Sequence, residues 1–134
     1  MVHGLEAALA GRLRFVFRNY PLMDIHRHAF QAAEAAEAAG AQGRFWDMLE
    51  RLFKSQKALQ QEDLLRYATA FKLDADRFLV DLSTHTHAER IQRDLDSGQN
   101  SDVQGTPTLF VNERKHKGSY DPDSLLAALR DAGA

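Results

Sequence analysis

The 134-residue chain contains no cysteine. Disulfides, thiolate metal ligands and thiol nucleophiles are therefore outside the chemistry its own side chains can supply. It has no run of eighteen or more apolar residues, so no stretch reads as a membrane-spanning helix. There is no Walker loop, no Gly-X-Gly-X-X-Gly and no His-Glu-X-X-His, which removes the common phosphate-binding, dinucleotide and zinc-hydrolase signatures. Neither Ser119 nor Ser124 sits in a Gly-X-Ser-X-Gly elbow. Neither sign of charge dominates: 17 Lys and Arg stand against 19 Asp and Glu, for a net charge of −2. No broad basic surface for nucleic acid or an anionic membrane follows from that balance. The N-terminus shows no charged segment followed by an apolar one, so no secretory leader is read there, and a cytoplasmic location is expected.

What the chain does have is a series of apolar stripes at helical spacing, with punctuation that places them. One domain is expected from the length. Leu5 and Leu9 open a short helix stopped by Gly11. Leu13 to Phe17 reads as a strand, apolar enough to be covered on both faces, and Pro21 ends it. Asp24 is placed to cap a helix whose face is made of Ala29, Ala32, Ala33, Ala36 and Ala39, until Gly40. Phe45, Met48, Leu49, Leu52 and Phe53 form one apolar stripe, expected to be buried together with Trp46 as core. Leu64, Leu65, Ala68 and Phe71 form the next. Asp74 caps a helix carrying Phe78, Leu79 and Leu82. Thr86 and Glu89 have capping-box spacing ahead of Ile91 and Leu95, and Gly98 is expected to end that helix. Thr108 to Val111 predicts a strand paired with the region around Lys115 to Lys117. Asp121 followed by Pro122 starts a last helix buried through Leu125, Leu126 and Leu129.

Six histidines invite a metal reading. His26 and His28 are two apart, as are His85 and His87, and two-residue spacing puts helical side chains on different sides. No metal site and no cofactor are therefore expected, and no carboxylate pair is fixed for acid–base work. The stretch with the most local information is Gly105-Thr106-Pro107-Thr108-Leu109-Phe110-Val111-Asn112. Glycine and proline there define a turn running straight into a strand, because Pro107 lacks the N–H that a position inside a ladder would use.

The segment from Ser101 to Asn112 resembles the cis-proline segment of DsbA-like, thioredoxin-fold thiol–disulfide oxidoreductases. Arg14 to Leu22 is similar to that family's second strand and following turn. His28 to Ala33 with Gly43 to Met48 resembles its inserted helical region, and Gly118 to Asp121 with Leu125 to Leu129 resembles its last helix. The likeness runs in one colinear order from about Leu5 to Leu129. It implies an α/β thioredoxin-like fold, incomplete at its N-terminus, with residues 1–22 and 99–134 forming the thioredoxin-like part and 23–98 a helical insertion. It also implies a cis Thr106–Pro107 bond, and a loop of Gly105, Thr106 and Pro107 whose main chain meets an extended peptide.

The family's chemistry resides in a Cys-X-X-Cys pair after its first strand, and this chain has neither. No catalytic residue is therefore assigned. Three readings follow. The chain is a redox-inactive structural or interaction module; or it binds an extended peptide or protein through the Gly105–Pro107 loop; or it is part of an active enzyme whose redox motif lies upstream of Met1. In a complete sheet of this type the missing strand would lie between Leu13–Phe17 and Thr108–Val111. The gap it leaves, together with a leading helix freed to rearrange and to offer Leu5 and Leu9 to a partner, gives the expectation of a symmetric homodimer.

Overall fold

In the computed structural model the described residues are 5, 7–9, 11–21, 28–103, 109–118 and 121–133. They divide into two compact units, Met1–Arg18 with Val103–Ala134, and Asn19–Asp102.

The second unit is helical. It holds α1 (Ala29–Gly40), α2 (Phe45–Lys54), α3 (Gln61–Ala70), α4 (Ala75–Ser83) and α5 (Ala88–Asn100). Its organising element is α1, which packs against each of the other four. Alanine makes that possible, since a side chain of one methyl group lets neighbouring helices approach on more than one side. The buried set is Ala32, Ala35, Ala36, Ala38 and Ala39. That is a broader face than the stripe legible in the sequence, which left out Ala35 and Ala38. Met48 and Leu52 from α2, Leu64, Tyr67 and Ala68 from α3, and Phe78 and Leu82 from α4 complete one core around it. Tyr67 keeps its hydroxyl satisfied by donating to the Ala58 carbonyl at 2.8 Å.

Helix ends follow local chemistry. The Asp74 side chain accepts from the Arg77 N–H, as its position ahead of α4 predicts. A reciprocal capping box joins Gln60 and Asp63 at α3. The box expected of Thr86 and Glu89 does not form: α5 begins one residue later, with His87 at the N-cap and no side-chain cap bond. Thr86 instead meets the Thr84 hydroxyl at 2.8 Å. Gly98 does not end α5, which runs on to Asn100, because a single glycine costs a helix only about 1 kcal/mol.

The stripe on α2 is buried in part. Met48 and Leu52 are buried, and Phe45 and Leu49 pack against the core half-covered. Phe53 and Trp46 are 60% and 51% exposed, against expectation. The reason is angular. An arc running from Met48 through Phe45 and Leu49 to Phe53 and Trp46 is wider than the surface α1 and α3 present to it, so its far edge faces outward.

In the other unit the leading residues 5, 7 and 8 are helical, with the Leu9 N–H donating to the Leu5 carbonyl at 3.0 Å. Leu5 and Leu9 are both buried, so they are not the free apolar surface that the loss of a neighbouring strand implied. Gly11, at φ +76°, turns the chain after them. Leu13 to Phe17 is not assigned as a strand. Its burial alternates residue by residue, with Val16 57% exposed, so the two-sided cover inferred from its apolar character is absent. Apolar content reports what a segment can bury, whereas alternation reports a single covered face. The described residues contain one sheet, the antiparallel hairpin of β1 (Phe110–Val111) and β2 (Arg114–Lys115). The described structure is thus mainly helical with a small sheet. Asn112 and Glu113 form the hairpin loop with φ of +48° and +74°, the left-handed pair that suits a two-residue connection. The final helix α6 (Pro122–Asp131) starts as its sequence predicts, with Asp121 accepting from the Ser124 N–H and proline in the first turn. Leu125 is its buried residue, with Leu126 and Leu129 half-covered.

Candidate functional site

The loop singled out from the sequence, Gly105, Thr106 and Pro107, lies outside the described residues, and so does the Thr106–Pro107 bond. So do Asp24, His26 and Ser119. What the structure describes are the flanks of that loop. Before it, α5 ends and Asp102 takes a left-handed φ of +60°. After it, the Leu109 carbonyl accepts from the His116 N–H at 2.7 Å, one residue beyond the assigned hairpin.

Two polar arrangements stand out within the helical unit. In the first, Asn19 is 4% exposed and ties together two carboxylates. Its main-chain N–H donates to Asp94 Oδ2 at 2.9 Å, and its side-chain amide donates to Glu37 Oε1 at 2.8 Å and Asp94 Oδ2 at 3.0 Å. Arg90 Nε lies 3.4 Å from the other Glu37 oxygen. The buried amide satisfies groups that would otherwise be costly to cover. In the second, Glu34 is 4% exposed on the alanine face of α1, and His85 Nδ1 reaches both its oxygens at 3.0 and 3.2 Å. His85 takes a left-handed φ of +53°. Such a backbone conformation is uncommon for a residue with a Cβ.

The histidine pair does not converge. His85 faces Glu34, while His87 Nε2 is buried without a hydrogen bond, 3.6 Å from Asp81 Oδ2. No group of three or more metal-ligating side chains assembles among the described residues. These networks join segments far apart in sequence, and no spacing rule could have found them. They hold the helical unit together and present no reactive pair.

A groove of about 540 Å³ separates the hairpin from α6. One wall is Arg114, Lys115, His116 and Lys117; the other carries Asp131 over Ala128 and Ala132. A second hollow of about 240 Å³ lies beside α2, among Asp47, Glu50, Arg51 and Lys54. Its charges are largely spoken for, by the Arg44–Asp47 pair at 2.8 Å and the Lys54–Glu50 pair at 3.0 Å.

Comparison with known proteins decides the family. A family model described as Thioredoxin matches residues 5–131, nearly the whole chain. The chain belongs to the thioredoxin family. Its relatives include a protein named Na(+)/H(+) antiporter NhaA 3 of Salinispora tropica, 48% identical over 122 residues, which is 91% of this chain and 19% of the relative. A protein named Na(+)/H(+) antiporter NhaA 1 of Salinispora arenicola is 49% identical over 122 residues, again 91% of this chain and 19% of the relative. Another so named, from Mycolicibacterium gilvum, is 42% identical over 127 residues, 93% of this chain and 21% of the relative. The thioredoxin-family chain thus spans about a fifth of the length of these curated relatives. No solved structure matches it at a significant level. No helix of the described residues is long and apolar enough to cross a membrane.

Proposed function

We propose that this chain is a DsbA-like thioredoxin-family domain without thiol chemistry, acting as a structural or interaction module. One observation carries the reading: a chain matched to the family along residues 5–131 has no cysteine anywhere. Thiol–disulfide exchange requires a thiolate as the attacking group, and no other side chain replaces it. The helical unit nevertheless keeps a complete core around α1, so what the chain retains is a folded platform. In this reading residues 23–98 are the insertion, and 1–22 with 99–134 the thioredoxin-like part.

The lengths of the relatives support a module within, or beside, a larger assembly: the matched region is about a fifth of proteins named as antiporters. The contact surface for an extended peptide is the main chain of Gly105, Thr106 and Pro107. Binding through main-chain hydrogen bonds does not need a thiol. We also propose a two-fold homodimer in the cytoplasm; light scattering at micromolar concentration is expected to give twice the chain mass, and a monomeric mass across that range rejects it.

The principal test is insulin reduction by dithiothreitol. The chain is expected to give no acceleration over a protein-free control, and a clear acceleration overturns the reading. A gene product carrying Cys-X-X-Cys upstream of Met1 would be seen in its intact mass and would accelerate the same assay.

A further inference from the structure

We propose that the groove between the β1–β2 hairpin and α6 docks an acidic, extended peptide segment. The inference rests on reading the chain as an interaction module, but it uses none of Gly105, Thr106 or Pro107 and does not depend on redox silence.

The first observation is a local inversion of charge. The chain as a whole carries −2, yet the groove lining holds Arg114, Lys115 and Lys117 with His116 against the single carboxylate Asp131. Arg114 and Lys117 are exposed, and neither takes part in the ion pairs of the described residues. The hollow beside α2 shows the contrast: of its two cations Lys54 is paired with Glu50 and Arg51 lies over the Tyr67 ring, and its two carboxylates balance them in number.

The second observation is that this wall is held in place. Asn112 and Glu113 close the hairpin in left-handed conformations, and the Asn112 side-chain amide donates to the Ala132 carbonyl at 3.1 Å. That bond ties the hairpin loop to the end of α6. A cationic wall positioned before the partner arrives loses less freedom on binding than a loose one.

The third is spacing. Four consecutive residues of extended chain span about 10 Å, and alternate side chains of a bound strand recur about every 7 Å. Arg114, Lys115 and Lys117 all line the groove, so its cations are spread over a length of chain, which suits carboxylates spaced along an extended peptide better than one compact phosphate. The overall negative charge of the chain works against a long polyanion such as nucleic acid. The α6 wall, with Asp131 and the helix's carbonyl end, directs an acidic segment toward the hairpin side. Ala128 and Ala132 leave room for its backbone.

The experiment is fluorescence anisotropy of the full chain with a labelled eight-residue peptide of alternating Glu and Ala, beside a Gln-for-Glu control. The Glu peptide is expected to bind more tightly than the Gln peptide, and to weaken as salt is raised. The double variant R114Q/K117Q is expected to weaken it about tenfold. D131N is expected to tighten it, which keeps the test decisive should the double variant fail to fold, as read by circular dichroism. Equal binding of the Glu and Gln peptides overturns the proposal. So does a folded double variant that binds as well as the parent chain, or a D131N variant that binds no more tightly. Displacement of the peptide by inorganic phosphate at matched charge concentration would assign the groove to small anions and overturn the peptide reading. Failure here leaves the insulin result untouched, so the two readings fall separately.

Discussion

Replacing Phe78 by alanine is expected to lower the stability of the chain by about 3–5 kcal/mol, measured as a shift in the urea unfolding midpoint at unchanged slope. Phe78 is fully buried on α4 and belongs to the core built on α1. Alanines 32, 35, 36, 38 and 39 of that core end at one methyl group, so no long side chain on α1 can swing into the space an aromatic ring vacates. The hole stays open, and the cost of the substitution is the lost transfer energy together with the cavity. A natural domain has about 5–15 kcal/mol in total, so this one ring is a large share of it. The matched control is Phe53→Ala on α2. The same atoms are removed from a ring 60% exposed, and the expected change is within about 0.5 kcal/mol. Comparable losses at both positions would mean that Phe53 is covered in solution, by a second copy or another partner.

That contrast also shows what the sequence could and could not reveal. Phe45, Met48, Leu49, Leu52 and Phe53 share a helical face whatever surrounds them, so the stripe was readable from spacing alone. How much of the stripe is covered depends on the width of the opposing surface, which is set by helices elsewhere in the chain. Asp74 and Asp121 were readable as caps because a carboxylate and the N–H three residues on are local partners. Thr86 had the same local credentials and lost, because the chain through Thr84–His87 is drawn to Glu34 and Asp81 instead. Leu13 to Phe17 was misread in its cover: apolar content suggested two covered faces, whereas its burial alternates and reports one. The hairpin was readable through Phe110 and Val111, with its partner one residue earlier than expected, at Arg114–Lys115. Of the candidate sites, Gly105–Pro107 lies outside the described residues. The basic run Arg114 to Lys117 is plain in the sequence, but nothing in its spacing says that α6 stands opposite and makes a groove of it.

Asn19→Ala is expected to destabilise the chain by about 1–3 kcal/mol, although it removes only a small polar side chain. Three features set that magnitude. Asn19 is 4% exposed, so water does not readily replace the lost amide. The amide donates to Glu37 and to Asp94 at 2.8 and 3.0 Å, so its removal takes a donor from two carboxylates at once. Those carboxylates belong to different helices, α1 and α5, and the amide between them is what lets two like charges share the site. Arg90, at 3.4 Å from the far oxygen of Glu37, compensates only one of them. The main-chain N–H of Asn19 still reaches Asp94 in the alanine variant, which keeps the loss below that of removing the whole contact. A double-mutant cycle with Glu37→Gln isolates the effect. Neutralising Glu37 removes the like charge facing Asp94, so N19A should cost less in the E37Q background than in the parent chain, by about 0.5 kcal/mol or more. Additive costs in urea unfolding would show that Asn19 acts through packing alone, and that the two carboxylates tolerate one another without it.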